Sequence, residues 1–318
     1  MRCTMDLKKL RVVFMGSPVF ASNVLKKLIE VTNVVLVVSQ PDAYVGRKKV
    51  LTASPVKKLA LEEKIEVFTP ERIKSDYDII KKSNPDIIIT CAYGQMLPKE
   101  LLELPRFKSI NVHASLLPKL RGAAPIQRAI MNGEKETGIT IMYMDEKMDT
   151  GNIISSKQIK IEDSDTYDSL HDKLSTLGID LLIETLPSIV DGTNPSIKQN
   201  EGEATYAPLI DKVDEKIDFN KTSLEVYNKI RGLNSNPGAF MMLNGDIIKV
   251  YNSRIGDKRF NCGVIGQIYK DGIGIGTLDG EIVLTEIKPA GKNRLLVKDY
   301  LNGIKKENIL GMRCNEEK

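Results

Sequence analysis

Asn111 and His113 stand two residues apart at the end of the apolar run SINVH, and a carboxylate, Asp149, sits further along in the turn sequence KMDTG. Side chains two apart on a strand point to one face of a sheet. A neutral amide donor beside a titratable ring is the combination expected where negative charge develops on an acyl oxygen. A carboxylate brought beside the ring would favour its charged form and could accept or relay a proton. The same residues have an ordinary reading too: a capping Asn, a satisfied core His, and an Asp that starts a turn before Thr150-Gly151. Spacing alone does not choose between them.

The neighbouring segments extend both readings. In SLLPKLRG, 115–122, Pro118 fixes φ and the leucine pair can wall an aromatic ligand or plug the core beneath the loop. Arg121-Gly122 can position an anion or form a solvated turn. The long basic loop QPDAYVGRKKVLTASPVK, 40–57, offers Arg47, Lys48 and Lys49 to phosphates, although charge runs are more often solvated loops. There is no G-x-G-x-x-G after the first strand, no P-loop, and no G-x-S-x-G elbow around Ser115. Dinucleotide, nucleoside triphosphate and serine-nucleophile chemistry therefore lose their usual support.

The elements that must position these residues read as an α/β domain. RVVFMG, NVVLVV, PDIIITCAYG and SINVH are short, β-branched and apolar throughout, and helical periodicities separate them. Strands without alternation are buried on both faces, which predicts a doubly wound, Rossmann-like parallel sheet. Ser17 is the expected N-cap of the first helix, with Pro18 at its first position. Ligands in such sheets bind beyond the carboxyl ends of the strands, a rim that holds Gly16, Tyr93-Gly94 and Asn111 to His113. TGITIMYMD and NIISSKQIKI read as strands flanking the KMDTG turn, and 166–190 as a long amphipathic helix. DGTNPSIKQNEGEAT lacks an apolar period and reads as a linker. After residue 206, one helix at 222–233 precedes short strands with hairpin signals at Asn244-Gly245, Asp271-Gly272 and Asp279-Gly280, which suggests a small OB-like β-barrel. The expected division is a first domain over 1–194, a linker over 195–210 and a second domain over 211–318.

Composition bounds the rest. A chain of 318 residues with 42% hydrophobic and 28% charged residues can form two domains with sizeable cores. The net charge of +4 is compatible with a polyanionic substrate but weaker than that of a dedicated DNA-binding domain. Four scattered cysteines form no C-x-x-C, so neither zinc nor a disulfide framework is expected, and a reduced cytoplasm fits best. No run approaches the ~20 apolar residues of a membrane span.

Taken together, Asn111-x-His113, SLLPKLRGAAPIQ and the MDTG turn, in that order, resemble the formyltransferase family that uses 10-formyltetrahydrofolate. The QPDxxxGRKKxLxxSPVK loop, a second domain of this size and RGLNSNPGAF at its start favour the branch of that family that acts on tRNA. The resemblance covers about Arg11 to about Asn302. It implies Asn111, His113 and Asp149 as catalytic residues, with the folate along Ser115, Leu116, Leu117 and Pro118 and its pterin near Tyr93, Gly94, Gln95 and Leu97. It also implies initiator methionyl-tRNA as formyl acceptor, gripped by Arg47, Lys48 and Lys49 and by Lys249 and Arg254, with Lys258 and Arg259 beside them. No metal, DNA or membrane partner is implied, and a cytoplasmic monomer is expected. Two departures stand out: Ala43-Tyr44 replaces the Arg-Pro common after QPD, and Ser235-Asn236 precede Pro237 where a Trp is usual. A sugar-nucleotide N-formyltransferase is the second enzyme reading, and a noncatalytic folate- or RNA-binding protein the alternative of another class.

Overall fold

The computed structural model describes residues 6–46 and 49–316. Fifteen strands and nine α-helices are assigned among them. The chain divides into two compact units, one comprising residues up to Pro125, Glu136–Lys160 and His171–Pro208, the other Ile126–Lys135, Ile161–Leu170 and Leu209 onward.

The first unit is built on β1 Arg11–Gly16, β2 Asn33–Val38, β3 Ala43–Val45, β4 Val50–Thr52, β5 Val67–Phe68, β6 Ile87–Cys91, β7 Ser109–His113, β8 Glu136–Tyr143 and β9 Ile153–Lys160. Seven of these form one sheet in the order β5-β2-β1-β6-β7-β8-β9. The strands from β5 to β7 run parallel, as continuous apolar sequences predict, while β8 and β9 close one side antiparallel. The order of connections reverses between β1 and β6, which opens the crevice beyond their carboxyl ends. Strands β1 and β6 are buried almost throughout, whereas β9 at the edge exposes Ser156, Lys157 and Gln158 in a row.

Helix α1 Val19–Val31 buries Phe20, Ala21, Val24, Leu25 and Leu28, the stripe that 3.6-residue periodicity places on one face. Each of Phe20, Val24, Leu25 and Leu28 removed from water contributes ~1.5–3 kcal/mol. Its N-cap is Pro18 with no side-chain cap, not the expected Ser17. The Ser17 hydroxyl instead accepts the Gln40 N–H at 3.1 Å, so a group suited to capping is spent on the rim. Helix α2 Pro55–Glu62 does have a side-chain cap, with Ser54 accepting the Lys57 N–H. The short helices α3 Asp78–Lys82 and α4 Lys99–Leu102 follow, then α5 Pro125–Met131 and the long α6 Tyr167–Val190.

Residues 195–207, read above as a linker, are bonded along the first unit. Ile197 and Ile153 exchange main-chain hydrogen bonds, and Arg121 pairs in parallel with Tyr206. Backbone pairing of this kind asks for no apolar period, so composition does not reveal it.

The second unit contains α7 Lys212–Glu215 and α8 Ser223–Gly232, the strands β10 Ala239–Leu243, β11 Asp246–Ile255, β12 Ile265–Ile268, β13 Ile273–Gly276, β14 Glu281–Pro289 and β15 Leu295–Leu296, and helix α9 Val297–Leu301. The strands run antiparallel in the order β10-β11-β14-β13-β12, with β15 on β14. Each predicted hairpin dipeptide sits at a turn, Asn244 and Gly245 both with positive φ. Register shifts between Val250 and Ser253 mark bulges that bend the long strand β11. Val226 and Ile230 of α8 join Met241, Val250, Ile275 and Leu284 in one core, giving a small barrel-like domain.

Candidate active site

Strand β7 carries Asn111 and His113 between β6 and β8, with Thr90 in register with Asn111 and Thr140 with His113. The buried Thr90 hydroxyl donates to Asn111 Oδ1 at 2.8 Å. That bond orients the carboxamide, and Nδ2 is the end left to donate elsewhere. His113 is 6% exposed. Its Nε2 lies 3.0 Å from the Leu120 carbonyl, which can only accept, so Nε2 carries a hydrogen. Nδ1 then faces Asp149 Oδ2 at 3.7 Å, an ion-pair separation wider than a hydrogen bond. Fold and sequence separation together thus bring all three predicted catalytic residues to one stretch of rim.

Asp149 is held in a left-handed conformation, φ 55°, in the turn between β8 and β9. Its Oδ2 accepts the Gly122 N–H at 2.8 Å. The turn admits no side chain at Gly151, where a Cβ would lie 1.8 Å from the Tyr143 carbonyl oxygen. Gly122 is equally constrained, with φ 124° and the Ala207 carbonyl oxygen 2.6 Å from a Cβ placed there.

Sequence reasoning missed Gln199 and left Arg121 unassigned. Arg121 is buried, and its guanidinium donates to both carboxylate oxygens of Glu201 at 2.9 and 2.8 Å. Nε and Nη2 also donate to Gln199 Oε1 at 3.1 and 2.8 Å. Gln199 Nε2 in turn donates to the main-chain oxygens of Asp149 at 2.9 Å and Gly151 at 2.8 Å. The Glu201 hydrogen bonds raise the Arg121 pKa further, and Arg121 holds the Glu201 carboxyl below the usual carboxylate range. The one signal available in advance was the polar sequence KQNEGE, which nothing distinguishes from a solvated loop.

The residues expected to hold a flat heterocycle divide into two kinds. Leu116 lies against Gly138 of β8, Leu117 is buried, and Pro118 is half-buried. The Ser115 hydroxyl is spent on the Lys119 carbonyl at 2.6 Å. Tyr93 and Leu97 point into the core with Val13, Met15 and Leu101, and burial pushes the Tyr93 phenol pKa up. Its hydroxyl has no hydrogen-bond partner among the described residues. Gln95 accepts the Ile73 N–H and donates towards Gln40 Oε1, while Gly94 has φ 86°. What this segment can offer a ligand is therefore main chain more than side chain.

The predicted phosphate contacts are dispersed. Arg47 and Lys48 lie outside the described residues. Lys49 is exposed with φ 48°, beside the β3–β4 hairpin, whose Tyr44, Val45, Val50 and Leu51 are all exposed. In the second unit, Lys249 donates to the Pro237 carbonyl and lies 3.6 Å from Glu215. Arg254 forks onto Asp271 at 3.1 Å through both Nε and Nη2 and stacks 5.0 Å from the Tyr269 ring centroid. Both cations already have carboxylate partners. Among the described residues no group of three or more His, Cys, Asp or Glu is arranged to hold a metal ion, and no helix is long and apolar enough to cross a membrane.

Comparison with known proteins places this geometry in a family. The profile of the formyl transferase family matches residues 8–186, and that of its C-terminal domain matches residues 209–305. The methionyl-tRNA formyltransferase of Macrococcus caseolyticus is 46% identical over 308 residues, 96% of this chain and 99% of its own. That of Staphylococcus epidermidis is 48% identical over 305 residues, 95% of this chain and 98% of its own. Among solved structures, the sugar 3N-formyl transferase WlaRD, studied with dTDP and 5-N-formyl-THF, shares the fold with a TM-score of 0.65 at 22% identity, covering 89% of this chain and 99% of that one. The chain belongs to the formyl transferase family and, within it, to the methionyl-tRNA formyltransferases.

Proposed function

We propose that this chain transfers the formyl group of 10-formyltetrahydrofolate to the α-amino group of methionine esterified to initiator tRNA, giving formylmethionyl-tRNA for translation initiation. The carrying observation is the 46–48% identity, over at least 95% of the chain, to relatives that bear the name of that activity. The rim suits the donor. Leu116, Leu117 and Pro118 offer an apolar wall, the main chain of 93–97 can read a flat heterocycle, and Asn111 turns its Oδ1 to Thr90, which leaves Nδ2 as the donor end. The donor supplies a formyl carbon open to attack by an amine.

Each polar residue then has one task. Asn111 Nδ2 donates to the formyl oxygen as negative charge grows on it, a contribution worth ~100- to 1000-fold in rate. His113, with Nε2–H committed to Leu120, presents Nδ1 beside Asp149. The pair takes the proton shed by the attacking amine and returns it to the nitrogen that leaves. The bond from the amine nitrogen to the formyl carbon forms as the bond from that carbon to the folate nitrogen breaks.

The acceptor is held by its phosphates. Arg47, Lys48 and Lys49 grip phosphates at the acceptor end, and Lys249 and Arg254 of the second unit track the backbone after exchanging their carboxylate partners for phosphate. That exchange predicts association that slows steeply as salt rises. The protein acts as a monomer in the cytoplasm and uses no metal; sedimentation across a concentration series and assay with a chelator check these two points. The decisive assay supplies 10-formyltetrahydrofolate with methionyl-tRNA in one arm and an amino sugar nucleotide in the other. Formylmethionine in the first arm is expected, and turnover confined to the second would overturn the reading.

A further inference from the structure

We infer that Gln199, locked by Arg121, is a positioning residue that fixes Asp149 relative to His113 in formyl transfer. The inference deepens the reading of Asp149 given above and rests on it.

Every hydrogen-bonding capacity of the Gln199 side chain is spent in one orientation. Both amide hydrogens go to the carbonyls of Asp149 and Gly151, and both lone pairs of Oε1 receive hydrogens from Arg121. A flip of the carboxamide would set its amide against the guanidinium and its oxygen against two carbonyls, breaking all four bonds. Arg121 is itself fixed, with its N–H on the Thr205 carbonyl, its carbonyl on the Ala207 N–H and its charge on Glu201. The side chains of both Arg121 and Gln199 are buried, so water does not readily substitute for either.

The consequence falls on the reacting pair. Three consecutive residues each take one part of it. Leu120 accepts His113 Nε2–H, Arg121 holds the Asp149 main chain through Gln199, and Gly122 donates to the Asp149 carboxylate. The separation between His113 and Asp149 is thereby set by one rigid tripeptide, with Gln199 as the only link from it to the turn's main chain among the bonds described. Without that link, Asp149 keeps a single bond to the tripeptide, and its left-handed backbone loses the contact that holds it. Position at this level matters, since a misplacement on the order of 1 Å costs about 100-fold in rate.

The test is a double-mutant cycle on the full chain, assayed with 10-formyltetrahydrofolate and methionyl-tRNA. Gln199→Leu is expected to lower kcat ~10- to 100-fold while KM for either substrate changes less than ~2-fold. In an Asp149→Asn background the same change is expected to cost less than ~2-fold, because Gln199 acts through the carboxylate already removed. A purely structural role would lower the active fraction and carry its full penalty into both backgrounds. That result, or wild-type kcat in Gln199→Leu, overturns the inference. Full activity in Asp149→Asn alone would instead remove the reading of Asp149 on which it rests. Should Gln199→Leu fold poorly, Glu201→Gln weakens the same clamp from an exposed side chain. It is expected to lower kcat by a few-fold in the parent and not in Asp149→Asn, and an equal loss in both counts against the inference.

Discussion

Two arginines are buried among the described residues, one in each unit, and only one of them leads to the site. Arg121 is 2% exposed and Arg231 is 7% exposed. Each ties down a loop: Arg121 holds the 149–151 turn through Gln199, and Arg231 donates to Asn228 Oδ1 and to the carbonyls of Glu162 and Asp165. Their electrostatics differ in sign. Hydrogen bonding to Glu201 raises the Arg121 pKa, while burial lowers that of Arg231. The difference that matters is where the bonds end. From Arg231 they stop at the Asn228 carboxamide and at main-chain oxygens of a loop. From Arg121 they run on through Gln199 to the main chain of Asp149, a residue whose carboxylate faces a histidine. A buried charge therefore does not mark a reactive centre unless its chain of bonds positions a residue whose side chain has capacity to spare.

The sharpest way to break this contrast is to measure rates at the rim of β7, beside the residue that the first chain positions. Asn111→Ala is expected to lower the rate of formyl transfer by ~100- to 1000-fold with the folded state intact, since the side chain is only half-buried. A residual rate near wild type would show that the rim at β7 is not the reacting edge. Next in size, Arg121→Leu and Arg231→Leu are each expected to cost about 3 kcal/mol in denaturant unfolding, because each leaves buried acceptors unsatisfied. Only Arg121→Leu should also slow transfer by the folded enzyme, and equal rate losses in the two variants would erase the distinction drawn between them.

A half-buried pair provides an intermediate case. Arg128 binds Asp214 with Nη2–Oδ2 at 2.5 Å, and that hydrogen bond holds the Asp214 carboxyl below the usual carboxylate range. A depressed folded value means stability that is present in full above the unfolded value of about 3.9 and is lost as pH falls through the lower folded one. Asp214→Asn is expected to cost about 1 kcal/mol at pH 7 and to flatten the acid side of a stability curve taken between pH ~5 and ~2. A curve of unchanged shape would remove Asp214 from the acid response. The smallest effect belongs to the exposed fork of Arg254 on Asp271. Asp271→Asn should change thermal stability by less than about 1 kcal/mol. If the second unit binds phosphates as proposed, the freed Arg254 should strengthen association with tRNA at low salt, and weaker binding would count against that role.

Much of the scaffold was legible because burial on both faces leaves a continuous apolar record. VVFM, IIIT and SINVH read as strands for that reason, and the rim that carries Asn111 and His113 followed from their carboxyl ends. The hairpins of the second unit were legible through Asn-Gly and Asp-Gly, whose conformations few other pairs adopt. Ser17 misled because a hydroxyl before a helix can cap it or bind a neighbouring loop, and only the neighbour at Gln40 decides. Gln199 was not legible at all. Its amide bonds go to main-chain carbonyls, which every residue possesses, and its side-chain partner Arg121 stands 78 residues away in the chain, so nothing nearby announces the contact in advance.

The passage of 197–207 along the first unit has a practical corollary for recombination. A catalytic half separated at residue 194 would retain the sheet, Asn111, His113 and Asp149, yet forfeit Gln199, Glu201 and the strand-like pairing with Arg121. Chimeras that exchange the part of the second unit from Leu209 onward between relatives should be joined after Pro208, where the donor of the catalytic half still brings its own clamp.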